Sequence, residues 1–255
     1  VRVVTLLSDL GSYSAELAAL RGRILSMPPG LKFVDISHDA HPYDLLASAF
    51  MVRGYYPHFP PGTLHVISVN MFGDEPQHVL ASYGDQWFMA PDNGIIPMLL
   101  EPNPSQAYRF RVPIPVPASL LRDLYLPAIA RLEENAFRPD DYFIPYNNPQ
   151  ARTWEKPQKV EENVRVSILY NDEAGNAHTN IDRRFFSTEM ENRDWRIHLG
   201  AGTWMYSISG RGGAEPGNVY LGWNEAGMLY VGMVNGDAVR FLGLRAGRHL
   251  LMEIK

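Results

Sequence analysis

The sequence predicts an α/β N-terminal domain, layered on a mostly parallel sheet, followed by a small all-β barrel-like C-terminal domain. Three observations carry this. Apolar strand runs alternate with segments of helical spacing over residues 1–100. Short strand candidates separated by Gly-rich turns fill the last third. Between them lies a stretch rich in Pro, Asn and charge, with no apolar period. The boundaries fall at 1–135 for the α/β domain, 136–162 for a linker and 163–255 for the barrel-like domain.

The elements follow in order. "VRVVTLL" is a first strand. In "SYSAELAALRGRILSM", Leu17, Leu20 and Ile24 recur at helical spacing, and "PPG" stops the run. "KFVDIS" is a second strand, "DLLASAFMVRGYY" a second helix, and "LHVISV" a third strand without polar alternation, as in a strand covered on both faces. "HVLASY" and "QWFMA" form a hairpin, "GIIPMLL" opens a short helix, and "LRDLYLPAIARLEENA" is helical after a Pro-rich strip. In the last third, "VRVSILY", "RRFFST", "WRIHL", "NVYLGW", "MLYVGMV" and "HLLMEI" are strand candidates.

The net charge of -5 gives no footprint for nucleic acid. The chain has no Cys, which excludes disulfides, thiolate metal sites and thiol nucleophiles. No apolar run reaches membrane-span length, and no signal-peptide pattern opens the chain, so a cytoplasmic location is expected.

Chemistry in an α/β sheet gathers beyond the strand ends. "LLSDLG" puts Asp9 there, where a carboxylate either accepts both hydroxyls of a ribose or caps the next helix. No GxGxxG or GK[ST] loop accompanies it. After the third strand, "VNMFGDEPQ" offers two amides, Asn70 and Gln77, which hold ligands but do not transfer protons. "DISHDAHPYD" invites a metal reading at His38 and His41, but no ligand pair matches them elsewhere, so the run is expected to be a solvated turn with helix-capping Asp residues. Tyr43 within it either packs or offers a ring to a ligand. Asp92 and Asn93 in "APDNGIIP" are expected to form a turn and helix N-cap shaping a pocket wall. "DEAGNAHTNI" collects Gly175, Asn176, His178, Thr179 and Asn180; Asn176 either reads an adenine edge or stabilises a hairpin loop. No GxSxG elbow occurs.

Six of these segments resemble, in order, those of the S-adenosylmethionine (SAM) hydrolases, also called SAM hydroxide adenosyltransferases, relatives of the SAM-dependent fluorinase and chlorinase. "TLLSDLGSYSAELAALRGRILSMPPGLKFVDISHDAHPYD" is similar to the family's opening TDFG segment, helix and VDITHxIxPxD turn. "AFMVRGYYPHFPPGTLHVISV", "APDNGIIP" and "RDLYLPAIARL" resemble AxxLxxxxxYFPPGTVHVxVV, xPDNGLLT and HGRDxFAPxAAxL. "LYNDEAGNAHTNI" resembles IDxFGNxxTNI, and "WNEAGMLYVGMVNGDAVRFLGLRAGRHLLMEI" the closing NSxGxLEIAxNxGNAAxxLGLxxGDxVxI.

The resemblance implies a homotrimer in which the ligand lies between the α/β domain of one subunit and the β domain of the next. It implies attack of water on C5′ of SAM, with methionine leaving and adenosine forming. Asp9 matches the ribose Asp, Tyr43 a pocket aromatic, and Gly175-Asn176 the adenine-contacting pair. The departures are large. Asn70 stands at the catalytic Asp, Gln77 at the Arg and Leu120 at the His. Asn171 is placed at the Asp expected to hold the methionine amino group, His178 where an aromatic packs on adenine, and Glu225-Ala226 at the fluorinase Ser-Arg. Asn224 falls at the Asn of the closing segment, and Glu16 is an extra acid on the first helix. The implied ligand-binding set is Asp9, Glu16, Tyr43, Asn171, Gly175, Asn176, His178, Asn224 and Glu225, with Asn70 and Gln77 at catalytic positions. His78, Asp74 and Glu75 are candidate substitutes for the missing groups. No metal and no cofactor are implied beyond SAM as substrate or ligand; nucleic acid and membrane are not expected partners. The expected function is SAM hydrolysis with a substituted catalytic set, or, as the alternative, a catalytically silent SAM- or nucleoside-binding trimer.

Overall fold

Strand β1 (Arg2–Ser8) lies between β2 (Leu31–Ser37) and β3 (Leu64–Ser68) and runs parallel to both. The computed structural model describes residues 2–71, 77–101, 104–111, 117–200 and 202–254, divided into two units at Thr153/Trp154. In the first unit, β4 (Gln77–Tyr83), β5 (Gln86–Pro91), β6 (Gln106–Arg111) and β7 (Ile144–Pro145) complete a sheet of order β2-β1-β3-β5-β4-β6-β7. The β2-β1-β3-β5 half is parallel and the rest antiparallel.

Helices α1 (Ala15–Ile24), α2 (Leu45–Tyr55), α3 (Ile95–Leu99) and α4 (Leu126–Glu134) cover the sheet. Two cores result. Leu17 and Leu20 of α1 and Ile129 and Leu132 of α4 pack with Val4 and Leu6 of β1. Leu45, Ala49 and Val52 of α2 pack with Leu7 of the same strand and Ile67 of β3. The alternation along β1 thus feeds both faces. All five residues of β3 are buried, the polar His65 and Ser68 among them, as in a strand covered on both faces. A π-helical turn, Leu121–Tyr125, precedes α4. Pro127 in the first turn of α4 has no N–H for the carbonyl four residues back, which loosens the α register there.

The second unit is antiparallel and barrel-like. Strands β8 (Gln158–Val160), β9 (Asn163–Asn171), β10 (Ala177–Asp182), β11 (Trp195–Gly200), β12 (Thr203–Met205), β13 (Val219–Trp223), β14 (Met228–Met233) and β15 (His249–Ile254) follow the order β12-β11-β15-β9-β10-β14-β13, with β8 paired to β9. Two short helices, α5 (Arg183–Glu189) and α6 (Ala238–Leu242), lie among them. "RRFFST" is therefore helix, not strand. Asp182 caps it by accepting the Phe185 N–H at 2.6 Å, and Phe185 and Phe186 turn onto the barrel core. Strands β6, β7, β8 and β12 and helix α6 are not expected from the sequence pattern. Residues 136–162 divide between the units: Phe137 and Phe143 belong to the first core, while β8 joins the second sheet.

Candidate functional site

At the C-terminal ends of β1 and β3 lies a cavity of about 460 Å3. Its polar wall is Asp9, Glu16, Ser68 and Asn70; Tyr43 stands on it, 81% exposed; Leu10, Pro42, Met71, Leu120 and Leu121 complete it. Five positions singled out by sequence, Asp9, Glu16, Tyr43, Asn70 and Leu120, thus meet in one place. A larger depression, about 690 Å3, runs along Met27, Pro28, Leu126 and Pro127 and holds none of them.

Asp9 does not cap α1. Ser14 does, accepting the Leu17 N–H at 3.1 Å. Asp9 Oδ2 instead accepts the backbone N–H of Asn70 at 2.8 Å. Asn70 makes this bond from a left-handed backbone, φ 51°, a conformation that Asn tolerates better than most residues. Asn93 supports it from behind: its Nδ2 donates to the carbonyls of Val69 (3.0 Å) and Asn70 (3.2 Å), while its Oδ1 accepts the Ile95 N–H. Asp92 is spent elsewhere, accepting the Tyr146 hydroxyl at 2.6 Å and the Gln150 N–H at 2.7 Å. Glu16, in the first turn of α1, makes no hydrogen bond or ion pair among the described residues. Arg122 is engaged by Asp123 through two bonds of 2.7 and 2.6 Å.

The other hydrolytic positions differ. Leu120 is buried with the core and gives the cavity an apolar side. Gln77 opens β4 and does not line the cavity; its Oε1 is buried without a partner among the described residues. His78 also points away. It is wholly buried against Phe110 and Tyr125, with Nδ1 2.7 Å from the Tyr125 hydroxyl, and burial lowers its pKa to about 4. Asp74 and Glu75 lie outside the described residues. The "DISHDAHPYD" turn is only partly solvated. His41 is exposed, but His38 is buried, 2.7 Å from Ser8 Oγ, with Nε2 3.3 Å from Asp35 Oδ1. Asp44 caps α2 as expected.

The second unit carries a separate polar cluster. His178 stacks between Tyr170 (centroids 4.3 Å apart, planes 5° apart) and Tyr230 (5.4 Å, 28°). Met228 N–H donates to Asn224 Oδ1 at 2.9 Å, so the amide NH2 of Asn224 faces His178 Nδ1, also 2.9 Å away. Nδ1 is therefore the acceptor, and Nε2 carries the proton donated to Asp172 Oδ2 at 3.0 Å. Asn176 adds two donors to the same carboxylate, N–H to Oδ1 (2.9 Å) and Nδ2 to Oδ2 (2.8 Å). Burial raises the Asp172 pKa, but the bonds from His178 and Asn176 outweigh it and hold the carboxyl at about 2.

Asp172 is the residue sequence reasoning missed. Counting four back from Asn176 in IDxFGN reaches Asp172, one beyond Asn171. Asn171 is tied away from the cluster, donating to the Leu244 carbonyl (2.8 Å) and accepting the Ala246 N–H (3.0 Å). Gly175 is set by packing. At φ +78°, a Cβ there would lie 2.6 Å from Asp237 Cγ. Glu225 sits in the turn between β13 and β14. No group of three or more His, Asp or Glu side chains is placed to hold a metal among the described residues, and no helix among them is long and apolar enough to cross a membrane.

Comparison with known proteins identifies the family and the fold. Residues 4–142 match the SAM hydroxide adenosyltransferase N-terminal domain, and residues 166–251 match its C-terminal domain. The (R)-S-adenosyl-L-methionine hydrolase of Methanocaldococcus jannaschii is 21% identical over 199 residues, 71% of this chain and 67% of that protein. The fold is shared with an uncharacterized conserved protein from Thermotoga maritima (TM-score 0.81, 21% identity, 98% of each chain) and a conserved hypothetical protein from Thermus thermophilus (TM-score 0.75, 24% identity, all of each chain). With both domain models matched along most of its length, the chain belongs to the SAM hydroxide adenosyltransferase family.

Proposed function

We propose that this protein binds a nucleoside, SAM or an adenosine-like relative, with the ribose held at Asp9. The observation that supports it is the Asp9 carboxylate itself: Oδ2 is fixed by Asn70, and Oδ1 has no hydrogen bond among the described residues. A carboxylate held on one side and open on the other suits a pair of ribose hydroxyls. The side-chain carbonyl of Asn176, whose NH2 is held by Asp172, suits an adenine amine. In this reading the protein is a homotrimer, and the cavity of one subunit works with the polar cluster of the next.

Hydrolysis is the second reading. In it, a water oxygen bonds to C5′, the C5′–S bond breaks with its electron pair on sulfur, and methionine and a proton leave. The cavity keeps two carboxylates, Asp9 and Glu16, that can take a proton. It has an amide at Asn70 and a buried alkyl chain at Leu120 where the family pattern has an acid and a His, and Gln77 is not on its wall. Binding therefore stands ahead of turnover.

Titration calorimetry with adenosine and SAM tests both. Heat from either, lost in Asp9→Ala, supports the binding reading. Silence from both, together with no thermal shift, removes it. Chromatographic detection of adenosine above the uncatalysed background would promote hydrolysis.

A further inference from the structure

Two turns contribute to the wall of the strand-end cavity. Asp9 and Leu10 come from the turn after β1, Pro42 and Tyr43 from the turn after β2. Towards β3, Asp9 is held by the Asn70 N–H. Towards β2, the holding residue is His38. Its ring is buried, and its Nδ1 lies 2.7 Å from the hydroxyl of Ser8, which is buried completely. Ser8 Oγ also accepts the Leu10 N–H at 3.4 Å, so it ties down the residues on both sides of Asp9. The backbones of the two turns meet at the same place. Gly11 N–H donates to the His38 carbonyl (2.6 Å) and Ala40 N–H to the Ser8 carbonyl (3.1 Å).

Charge sets the direction of the Ser8–His38 bond. Asp35 Oδ1 lies 3.3 Å from His38 Nε2, and Arg21 holds the other oxygen, Oδ2, at 2.9 Å. A proton on Nε2 is attracted by that carboxylate, whereas a lone pair there is repelled. Nε2 therefore carries the proton and Nδ1 is the acceptor. The Ser8 hydroxyl donates to Nδ1 while accepting from Leu10. Ser, His and Asp in this order resemble a nucleophilic set, but Ser8 has no exposed surface and is not on the cavity wall, so it cannot attack a ligand there. Its role is to hold the turn. Without an acceptor at Nδ1, the buried hydroxyl has to find another, and the turn moves with it.

We propose that His38 is a positioning residue for this cavity: through Ser8 it fixes the Asp9–Leu10 turn, and with it the carboxylate that meets the ligand. This rests on the nucleoside-binding reading above and adds to it the residue that sets the carboxylate in place.

Nitrogen-15 NMR of the ligand-free protein reads the His38 tautomer. A proton on Nε2 is expected, and a proton on Nδ1 overturns the proposal. Hydrogen exchange at the Asn70 amide reports where the Asp9 carboxylate stands, and calorimetry with adenosine reports whether a ligand feels it. His38→Leu and Ser8→Ala are each expected to speed Asn70 exchange and to weaken adenosine binding about tenfold, the scale of one hydrogen bond. Combined, they are expected to lose no more than either alone, because both cut the same link. His38→Asn, whose side-chain oxygen can stand where Nδ1 does, is expected to stay within about threefold of the wild type. Equal losses in His38→Asn and His38→Leu overturn the proposal, as do additive losses in the double variant. If His38→Leu fails to fold, Ser8→Ala and His38→Asn decide. Asn70 exchange unchanged by Ser8→Ala then overturns the proposal, and faster exchange in Ser8→Ala with near-wild-type exchange in His38→Asn supports it. A wild type that binds no adenosine removes the nucleoside reading, while the tautomer and the exchange pattern still decide the role of His38.

Discussion

The backbone N–H of Asn70 donates to the Asp9 carboxylate across 2.8 Å, joining the ends of β3 and β1. The position where the family pattern has a catalytic Asp therefore orients the expected ribose acceptor. The bond depends on a left-handed backbone at Asn70, φ 51°. Asn70→Gly should stay within about 0.5 kcal/mol of the wild type, whereas Asn70→Val should cost about 1–3 kcal/mol, because a β-branched side chain resists that conformation. Urea denaturation of the two variants measures this. Equal midpoints for both would show that the turn relaxes without strain.

Leu120 belongs to the core, 2% exposed, although it borders the cavity. Replacing it by the His of the family pattern puts a polar ring into that core. Leu120→His should lower stability by about 2–4 kcal/mol. A loss below about 0.5 kcal/mol would mean that the new side chain turns into the cavity and finds water.

Gly175 sits against the N-cap of α6, which Asp237 provides by accepting the Arg240 N–H. A Cβ on Gly175 would come within 2.9 Å of the Asp237 Cα. Gly175→Ala should cost about 2 kcal/mol or more from the combined clash and positive φ. An unchanged melting temperature would contradict the contact.

Two buried histidines make the fold acid-sensitive. Burial lowers the pKa of His65 and of His78 from 6.5 to about 4. Below pH 6.5 the unfolded chain binds the protons and the folded chain does not, so acid favours unfolding. Stability should be level above about pH 7.5 and fall as pH drops from 6.5 towards 4, by up to about 3 kcal/mol per histidine. His78→Phe should flatten part of that slope while losing the bond to Tyr125. Denaturant midpoints measured from pH 8 to pH 4 decide it; a flat profile for the wild type would contradict the burial argument.

The strand-end cavity was legible because its members are set locally. Asp9, Tyr43 and Asn70 each follow a strand whose apolar run is plain, and a parallel sheet brings such ends together. His38 was misjudged for the opposite reason. Its partner Ser8 is 30 residues away, so nothing adjacent announces that the ring is buried. The helix at Arg183–Glu189 hides in a run of Arg and Phe that suits either structure, and only the capping Asp182 signals it. Asp172 stands four residues before Asn176, as the Asp does in IDxFGN, and its bond to His178 is visible only in three dimensions.

Strand β15 lies inside the second sheet, between β11 and β9, and not at its edge. Its pairing with β9 joins residues 82 positions apart, as at Ser167 and His249. During synthesis every other strand of that sheet leaves the ribosome before β15 does. The β9 edge that β15 covers stays open until then, a template for pairing with a neighbouring chain. The first unit has no such wait, because β1 finds β2 and β3 within its first 68 residues. Folding is thus expected to be vectorial. The α/β unit can settle early, while the barrel-like unit stays incomplete until Ile254 is in place.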